Sequence, residues 1–388
     1  MSTFLTICLY SIFYSSVIFL FKIADKAKSE FKKKRIIFLG IIFVALFASL
    51  RDVSVGTDTT ETVRLYFEDQ FTRKLAFNTF SEFLHSNLFY YIIANVIHTL
   101  GLGTRTFLFL LEVCTVAPVA VSAYKKRKQI PLHITLGIFL LLYFQLSFNW
   151  IRQSAASAFI LLTLVNAQGK CKKQAVFTAI MAIMLHSSAI FGLILIAFTY
   201  IFMRIKNKYW RFAFGIGFMA IFIALLTQWE AIISFGITSG ILPTTYAGYL
   251  RVFSGQTTVE SWFSVGIRTY VEFAIRLLLV VLPFILKKRD VSSDEQMQLD
   301  FNKIITVMGL IIYGYILLSM HSAYGNRISY AVEYVQLINL GSCCTRTTKD
   351  RGTIPLRNII VIGTVLFYNI WLYYILGWHD TVPFVFGF

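Results

Sequence analysis

The chain of 388 residues is 57% hydrophobic and only 14% charged, and its mean hydropathy is +0.69. A soluble domain of this length needs far more polar surface, so the composition excludes a soluble enzyme and indicates an integral membrane protein. The formal net charge of +17 is spread over short basic runs between apolar stretches. That distribution is typical of cytoplasmic loops facing anionic membrane lipids, and it does not predict nucleic-acid binding.

Basic runs and apolar stretches alternate along the chain, and the alternation predicts how the chain crosses the membrane. With every basic run placed in the cytoplasm, one path is consistent, and its N-terminus lies outside. The predicted cytoplasmic loops cover residues 22–35, 125–128, 170–173, 204–211, 287–303 and 345–357. The predicted spans cover residues 3–21, 36–50, 105–124, 131–149, 153–168, 211–229, 266–286, 304–320, 328–344 and 358–376. The sequence therefore predicts an all-α polytopic membrane protein, one integral membrane domain over residues 1–388 with about ten to twelve transmembrane helices.

Two longer outer segments are expected, at about 51–104 and 230–265. Within the first, the stretch NLFYYIIANVIHTLGL is apolar but is interrupted by Asn95 and His98. A full span there would break the alternation of charge, so an interfacial or re-entrant helix is predicted.

The apolar run 174–203 is too long for one ordinary helix, and both its flanks are basic. A short hairpin with residues 186–188 at its outer tip is therefore expected.

The first apolar stretch has no basic region before it and no small-residue cleavage site after it, so a retained helix is expected rather than a signal peptide. The tail GWHDTVPFVFGF is expected to lie outside.

Outside the predicted cytoplasmic loops, the basic residues are almost all arginines. They are Arg51, Arg64, Arg73, Arg105, Arg152, Arg251, Arg268, Arg276 and Arg327. Topology requires only charge, whereas the planar arginine fork binds phosphate or carboxylate at two points. These arginines therefore predict an anionic ligand at the outer face. The alternative is local pairing with outer acids such as Asp52, Glu61, Glu68 and Glu272.

The stretch FNWIRQSAAS places an arginine and a glutamine inside an apolar run. An arginine at the centre of a bilayer costs about 2.5–3.5 kcal/mol on insertion scales. If the chain turns near Trp150, Asn149 ends one helix while Arg152 and Gln153 begin the next. Arg152 would then point into the bundle at the depth of the outer headgroups. The alternative is an arginine bonded to neighbouring helix carbonyls.

Three further pieces converge on the predicted outer face: SLRDVSVGTDTTE, LHSSAIF and HSAYGNRISYAVEY. The first offers Asp58, which is either a functional carboxylate or an N-cap of the following helix. The second offers His186, which is either a catalytic group or a satisfied core histidine. In the third, Arg327 and Tyr330 are three residues apart and share a helical face.

The segments LRDVSVGTD, SFNWIRQSAA, MLHSSAIF and NRISY, in this order and spacing, resemble the EpsG-like, Wzy-type polysaccharide polymerases over nearly the whole chain. The FNxxRQ element followed by HSS is the most specific part, and TVPFVF differs from the Pro-Tyr ending usual in that family. The resemblance implies a GT-C-like helical bundle with its active site at the extracytoplasmic face of the bacterial cytoplasmic membrane. It also implies polymerisation of undecaprenyl-diphosphate-linked repeat units into O-antigen, capsule or exopolysaccharide, with a flippase and a chain-length regulator as partners.

From this resemblance we expect a glycosyl transfer without metal or cofactor, because the chain lacks an Asp-x-Asp motif and the five cysteines lack metal-ligand spacing. Arg152 with Gln153, Arg51 and Arg327 would bind the donor diphosphate, and His186 or Asp58 would take the proton of the acceptor hydroxyl. The other expected substrate-binding residues are Asn149, Tyr330, Arg251, Arg268 and Arg276.

Two alternative functions are an O-antigen ligase-like transferase and a flippase or transporter of the same lipid-linked sugar. A transporter should carry polar groups across the whole bilayer, whereas the polar residues here crowd the predicted outer face.

Overall fold

The computed structural model describes residues 2–68, 88–240, 267–286, 291–319, 326–345 and 354–387. Within these ranges the chain is helical, and the one extended pairing is an isolated antiparallel bridge between Arg51 and Phe386. Six helices in this part of the chain are long and apolar enough to cross a membrane. The predicted all-α polytopic membrane protein is therefore confirmed. The larger number of spans stays a prediction, since the other helices are shorter or less apolar.

The first half of the chain forms eleven helices within the described ranges. They are α1 (Thr3–Lys26), α2 (Glu30–Ser49), α3 (Thr59–Val63), α4 (Leu88–Thr99), α5 (Thr104–Lys126), α6 (Leu132–Asn149), α7 (Ile151–Gln168), α8 (Lys172–Leu185), α9 (Ala189–Arg204), α10 (Lys208–Thr227) and α11 (Trp229–Thr238). Side chains cap the N-termini of α1, α2 and α10. Ser2, Ser29 and Asn207 each accept a hydrogen bond from a backbone N–H of the first turn.

The second half adds α12 (Ile267–Ile285), α13 (Ser293–Ser319), α14 (Asn326–Tyr330), α15 (Gln336–Cys343) and α16 (Ile354–Asn369). A 3₁₀ turn, Glu333–Val335, joins α14 to α15, and α16 continues as a π-helical turn, Ile370–Ile375. Helix α13 begins at Ser293, inside the predicted cytoplasmic loop 287–303, because the acidic first turn suits a helix N-terminus.

Helix α7 is the central helix of the first half and packs against α5, α8 and α9. Its first turns carry the buried small residues of the sequence SAASA (154–158). Small side chains allow neighbouring helices to approach closely in a membrane bundle. Helix α1 packs against α2 and α6, and α6 in turn packs against α15. The two halves therefore meet along α6 and α7.

The sequence prediction was wrong for one segment. The predicted single span 328–344 is broken into α14, the 3₁₀ turn and α15. The break is stable because the Tyr143 hydroxyl donates a hydrogen bond (3.0 Å) to the Glu333 carbonyl, which satisfies backbone that a continuous helix would have paired. Helix α11 occupies the start of the predicted outer segment 230–265, and the location of that segment stays a prediction. The hairpin in 174–203 is confirmed, with α8 ending at Leu185 and α9 beginning at Ala189.

Candidate functional site

A one-residue junction separates α6 from α7 at the position predicted from FNWIRQ. Trp150 has non-helical dihedral angles (φ −98°, ψ 51°), although its N–H still donates to the Leu146 carbonyl at 2.9 Å. Asn149 therefore ends α6, and Arg152 lies in the first turn of α7. Arg152 is half-buried, whereas Asn149 and Gln153 are buried.

The loop that carries Asp58 packs onto this junction. The side-chain oxygen of Asn149 accepts hydrogen bonds from the Asp58 backbone N–H (2.8 Å) and from the Thr57 hydroxyl. Gly56 has φ +96°, and a Cβ atom there would lie 2.6 Å from the Phe148 carbonyl oxygen, so the close approach requires glycine. Asp58 stands at the N-cap position of α3 but makes no side-chain capping bond, so the capping alternative is wrong.

The tip of the α8–α9 hairpin lies beside the same junction. Leu185 and Ala189, which flank His186, belong to the apolar cluster that contains Ile151 and Ala155 of α7. The His186 ring is half-buried, and its Nδ1 lies 2.7 Å from the Ser188 hydroxyl. The structure therefore brings the second and third predicted pieces to one end of the bundle.

The fourth predicted piece joins them through Tyr330. Its ring meets the Trp150 ring edge-on at 3.8 Å, and its carbonyl accepts a hydrogen bond from the Ser157 hydroxyl at 2.9 Å. Arg327 lies in α14 and Arg268 in α12, but the structure does not describe either side chain, and Arg251 lies outside the described residues. Their predicted roles in binding stay predictions.

Arg276 pairs with two carboxylates on its own side of the bundle. Its Nε and Nη2 atoms lie 2.8 and 2.7 Å from Glu272 Oε1, and its Nη1 contacts the Glu333 carboxylate. The guanidinium also donates to the Tyr330 hydroxyl and stacks over the Tyr313 ring at 4.6 Å. Arg276 is therefore paired with neighbouring acids, as the alternative predicted, and its guanidinium is not open to a diphosphate.

A cleft opens beside this ion-paired group. Arg276 and Glu333 line it together with tyrosines from three neighbouring helices, Tyr143, Tyr313 and Tyr368. The remaining lining combines hydroxyl and amide groups with apolar side chains. Such a mixture of a largely apolar wall and a few convergent polar groups is typical of a ligand site.

Arg51 is buried rather than open to a ligand. Only 3% of the residue is exposed, its Nη1 donates to the Ala48 carbonyl at 2.6 Å, and its guanidinium lies 4.3 Å from the Phe148 ring centre. Burial lowers the pKa of this arginine to about 10. Its observed contacts hold the turn after α2, and its predicted role as a diphosphate ligand stays a prediction.

The C-terminal tail folds back over the junction, which the sequence did not predict. The backbone N–H groups of Asp52 and Gly56 donate to the carbonyls of Val385 (2.8 Å) and Asp380 (3.0 Å), and the Gly387 N–H donates to Leu50 at 3.0 Å. The tail therefore forms a wall beside the loop that carries Asp58.

His379 of this tail is a site residue that the sequence analysis missed. Its Nδ1 accepts a hydrogen bond from the Asn149 amide at 2.7 Å, because the Asn149 oxygen is already used as an acceptor. The proton of the neutral ring must then sit on Nε2, which is buried. Burial, with Arg276 nearby, lowers the pKa of His379 to about 4. His379 and Asp380 have φ of +70° and +48°, a strained geometry typical of functional sites. Only the HD pair in the tail hinted at this residue.

Among the described residues, no group of three or more His, Cys, Asp or Glu side chains could hold a metal ion. Metal independence of the reaction stays a prediction.

The fold and site together define a multi-pass helical membrane protein whose polar segments assemble at one end of the bundle. The sequence model of the EpsG family matches residues 34–386, so the chain belongs to the EpsG family. The family resemblance seen in the sequence is thereby confirmed, and it points to a polysaccharide-polymerase type of function. No curated protein and no solved structure matches the chain.

Proposed function

We propose that this protein polymerises oligosaccharide repeat units carried on undecaprenyl diphosphate, at the outer leaflet of the bacterial cytoplasmic membrane. The observation that carries the proposal is the assembly of four separate segments around Trp150. They are the loop of Asp58, the junction of Arg152, the hairpin tip of His186 and the helix of Tyr330. The distribution of the basic loops supports an outer location for this end of the bundle, where the proposed polymerisation would take place.

The proposed reaction is a glycosyl transfer from a lipid diphosphate to the non-reducing end of an incoming unit. A hydroxyl oxygen of the acceptor sugar attacks the anomeric carbon of the growing chain, the bond from that carbon to the phosphate oxygen breaks, and undecaprenyl diphosphate leaves. Arg152 would bind the diphosphate, because its fork lies in the first turn of the 18-residue helix α7. A helix N-terminus itself favours an anion.

The other predicted residues would shape this site. Asn149 holds the loop of Asp58 against the junction, and Gln153 is buried one residue after Arg152. His186 and Asp58 are the sequence-based candidates for the group that orients the acceptor hydroxyl or takes its proton.

Deletion of the gene tests the proposal. We expect cells without the protein to accumulate single lipid-linked repeat units, because transport across the membrane still works while chain growth stops. A deletion strain that still builds long lipid-linked chains, and fails only to attach them to their final acceptor, would indicate a ligase. Accumulation of units on the cytoplasmic leaflet would indicate a flippase.

A further inference from the structure

The strongest unassigned feature is a buried group of two carboxylates and one guanidinium: Glu272, Arg276 and Glu333. Arg276 contacts both acids. Glu272 and Arg276 lie on α12, and Glu333 lies in the 3₁₀ turn between α14 and α15. Ionisable residues inside a membrane bundle are costly and mark functional sites. With both acids ionised, the group carries one uncompensated negative charge, which favours uptake of a proton or of hydrogen-bond donors.

The two acids differ in their access to the cleft. The side chain of Glu272 is 1% exposed, and its Oε2 atom is buried. The side chain of Glu333 is 20% exposed and lines the cleft together with Tyr313 and Tyr368. Glu333 is therefore the acid that a bound molecule can reach, whereas the buried Glu272 forms an ion pair with Arg276.

The chemistry of the cleft suits a neutral, hydroxyl-bearing ligand. Two carboxylates around one arginine repel a diphosphate, whereas sugar hydroxyls donate to carboxylates and also bind the hydroxyls of Ser329 and Thr306 in the wall. Apolar residues of the wall, such as Leu279 and Leu310, can cover the C–H face of a sugar ring.

The cleft also adjoins the junction that carries Arg152. Tyr330 contacts Trp150 through its ring, and its hydroxyl accepts a hydrogen bond from Arg276. Tyr330 therefore contacts both Trp150 of the junction and Arg276 of the ion-paired group. A donor bound at one side and an acceptor bound at the other would meet at this residue.

We infer that the cleft binds the sugar of the incoming unit and that Glu333 is the catalytic residue that accepts the proton of its attacking hydroxyl. In this step the O–H bond of the acceptor breaks and its proton passes to the Glu333 carboxylate. The new bond forms between the hydroxyl oxygen and the anomeric carbon as the lipid diphosphate leaves, and Arg276 orients the carboxylate. The inference rests on the proposed polymerase function, and it assigns to Glu333 the proton transfer that the sequence suggested for His186 or Asp58.

The test uses the purified full-length protein and lipid-linked repeat units extracted from a deletion strain. We expect Glu333→Gln to slow chain extension by about 10²-fold or more, the range expected for loss of a general base. Azide attacks without losing a proton, so it should restore release of lipid diphosphate by Glu333→Ala, with formation of a glycosyl azide. It should not accelerate the wild type. Glu61→Gln, a change of an exposed acid paired with Arg64, is the matched control and should extend chains normally.

The outcomes separate the two proposals. Wild-type protein that neither extends chains nor releases lipid diphosphate overturns the proposed function and this inference with it. An active wild type with Glu333→Gln within about threefold of its rate overturns the inference alone. A folded Glu333→Ala protein that azide does not reactivate also overturns it, because a structural ion pair would lose activity without such rescue. Gel filtration and melting temperature establish folding in each variant.

Discussion

At the scale of single residues, Asn149 holds the site together. Its one amide accepts hydrogen bonds from the loop of Asp58 and donates one to His379 of the tail. Three chain segments far apart in sequence therefore depend on one side chain. The sequence marks Asn149 as the polar end of α6, but the pattern cannot reveal partners that come from the loop and the tail.

Replacing Asn149 with alanine should loosen the site. The change removes the hydrogen bonds of Asn149 to the buried His379 Nδ1 and to the Asp58 N–H, and leaving a buried polar group unsatisfied costs about 1–3 kcal/mol. We expect a lower melting temperature and a larger loss of chain extension. Asn95→Ala is the matched control, because Asn95 is exposed and its amide makes one local bond to the Tyr91 carbonyl. Equal effects of the two changes would contradict this role of Asn149.

Gly56→Ala should be far more damaging than the same change at Gly101. Both glycines have positive φ (+96° and +67°), so both changes carry the backbone cost, roughly 1–2 kcal/mol. At Gly56 the new Cβ would meet a backbone oxygen, whereas a Cβ at Gly101 would have no other described residue within 4 Å apart from its chain neighbours. Thermal unfolding of the two variants separates the steric cost from the conformational one, and similar melting temperatures would show that the loop does not pack on Phe148 as described.

His379 should make stability depend on pH. Its pKa is about 4 in the folded protein against an ordinary value of 6.5, so between these values the unfolded chain binds a proton that the folded protein does not. The free energy of unfolding therefore falls as the pH drops from 6.5 to 4, by up to about 3 kcal/mol. Melting temperatures at pH 7 and 4.5 should differ more for the wild type than for His379→Gln. Identical pH dependence of the two proteins would refute this prediction.

At the scale of elements, hydropathy and charge predicted the helices that have a simple apolar pattern. The motif FNWIRQ predicts the end of α6 and the start of α7, and HSS predicts the break at residues 186–188. In both places polar residues interrupt a long apolar run. The break between α14 and α15 was not predictable. Residues 328–345 are almost all buried in protein, and the bond that replaces the helical pairing comes from Tyr143, nearly two hundred residues away.

The tail is the other element that the sequence could not place. It is short and irregular, and its pairing with the loop after α2 uses backbone groups that leave no pattern in the residues. Only the location of the tail outside the cytoplasm was expected. Its anchoring explains why the site contains a histidine from the extreme end of the chain.

Phe384→Ala should detach this tail. Phe384 is fully buried against the rings of Tyr10 (5.7 Å) and Phe47 (5.1 Å), and loss of such a ring costs about 3–5 kcal/mol. We expect faster cleavage of the tail by an externally added protease and a loss of chain extension while the helical content stays unchanged. Phe212→Ala, a change of a 70% exposed ring on α10, is the control. A tail that stays protected in Phe384→Ala would show that the backbone pairing alone holds it.

At the scale of the whole molecule, the two halves of the bundle supply different parts of the site. The first half provides the loop of Asp58, Arg152 and the hairpin of His186, and the second half provides the acid-rich cleft of Arg276 and Glu333. Their meeting at Trp150 and Tyr330 gives the proposed polymerase separate positions for an anionic donor and a neutral acceptor. This division also explains why the arginines that were predicted to lie outside do not share one role, since Arg51 and Arg276 are enclosed by their own contacts.

The most direct test of the proposed function is chain extension by the purified protein, with and without Arg152. Given lipid-linked repeat units, the wild type should build a ladder of longer lipid-linked glycans. Arg152→Ala should extend chains more slowly by about 10²-fold or more, because the leaving diphosphate loses a preorganised positive charge. Arg152→Lys should recover only part of the rate, because lysine lacks the two-point fork. Arg64→Ala, at an exposed arginine that pairs with Glu61, should extend chains normally. An Arg152→Ala protein that builds the same ladder at the wild-type rate would contradict the proposed role of Arg152 in binding the lipid diphosphate.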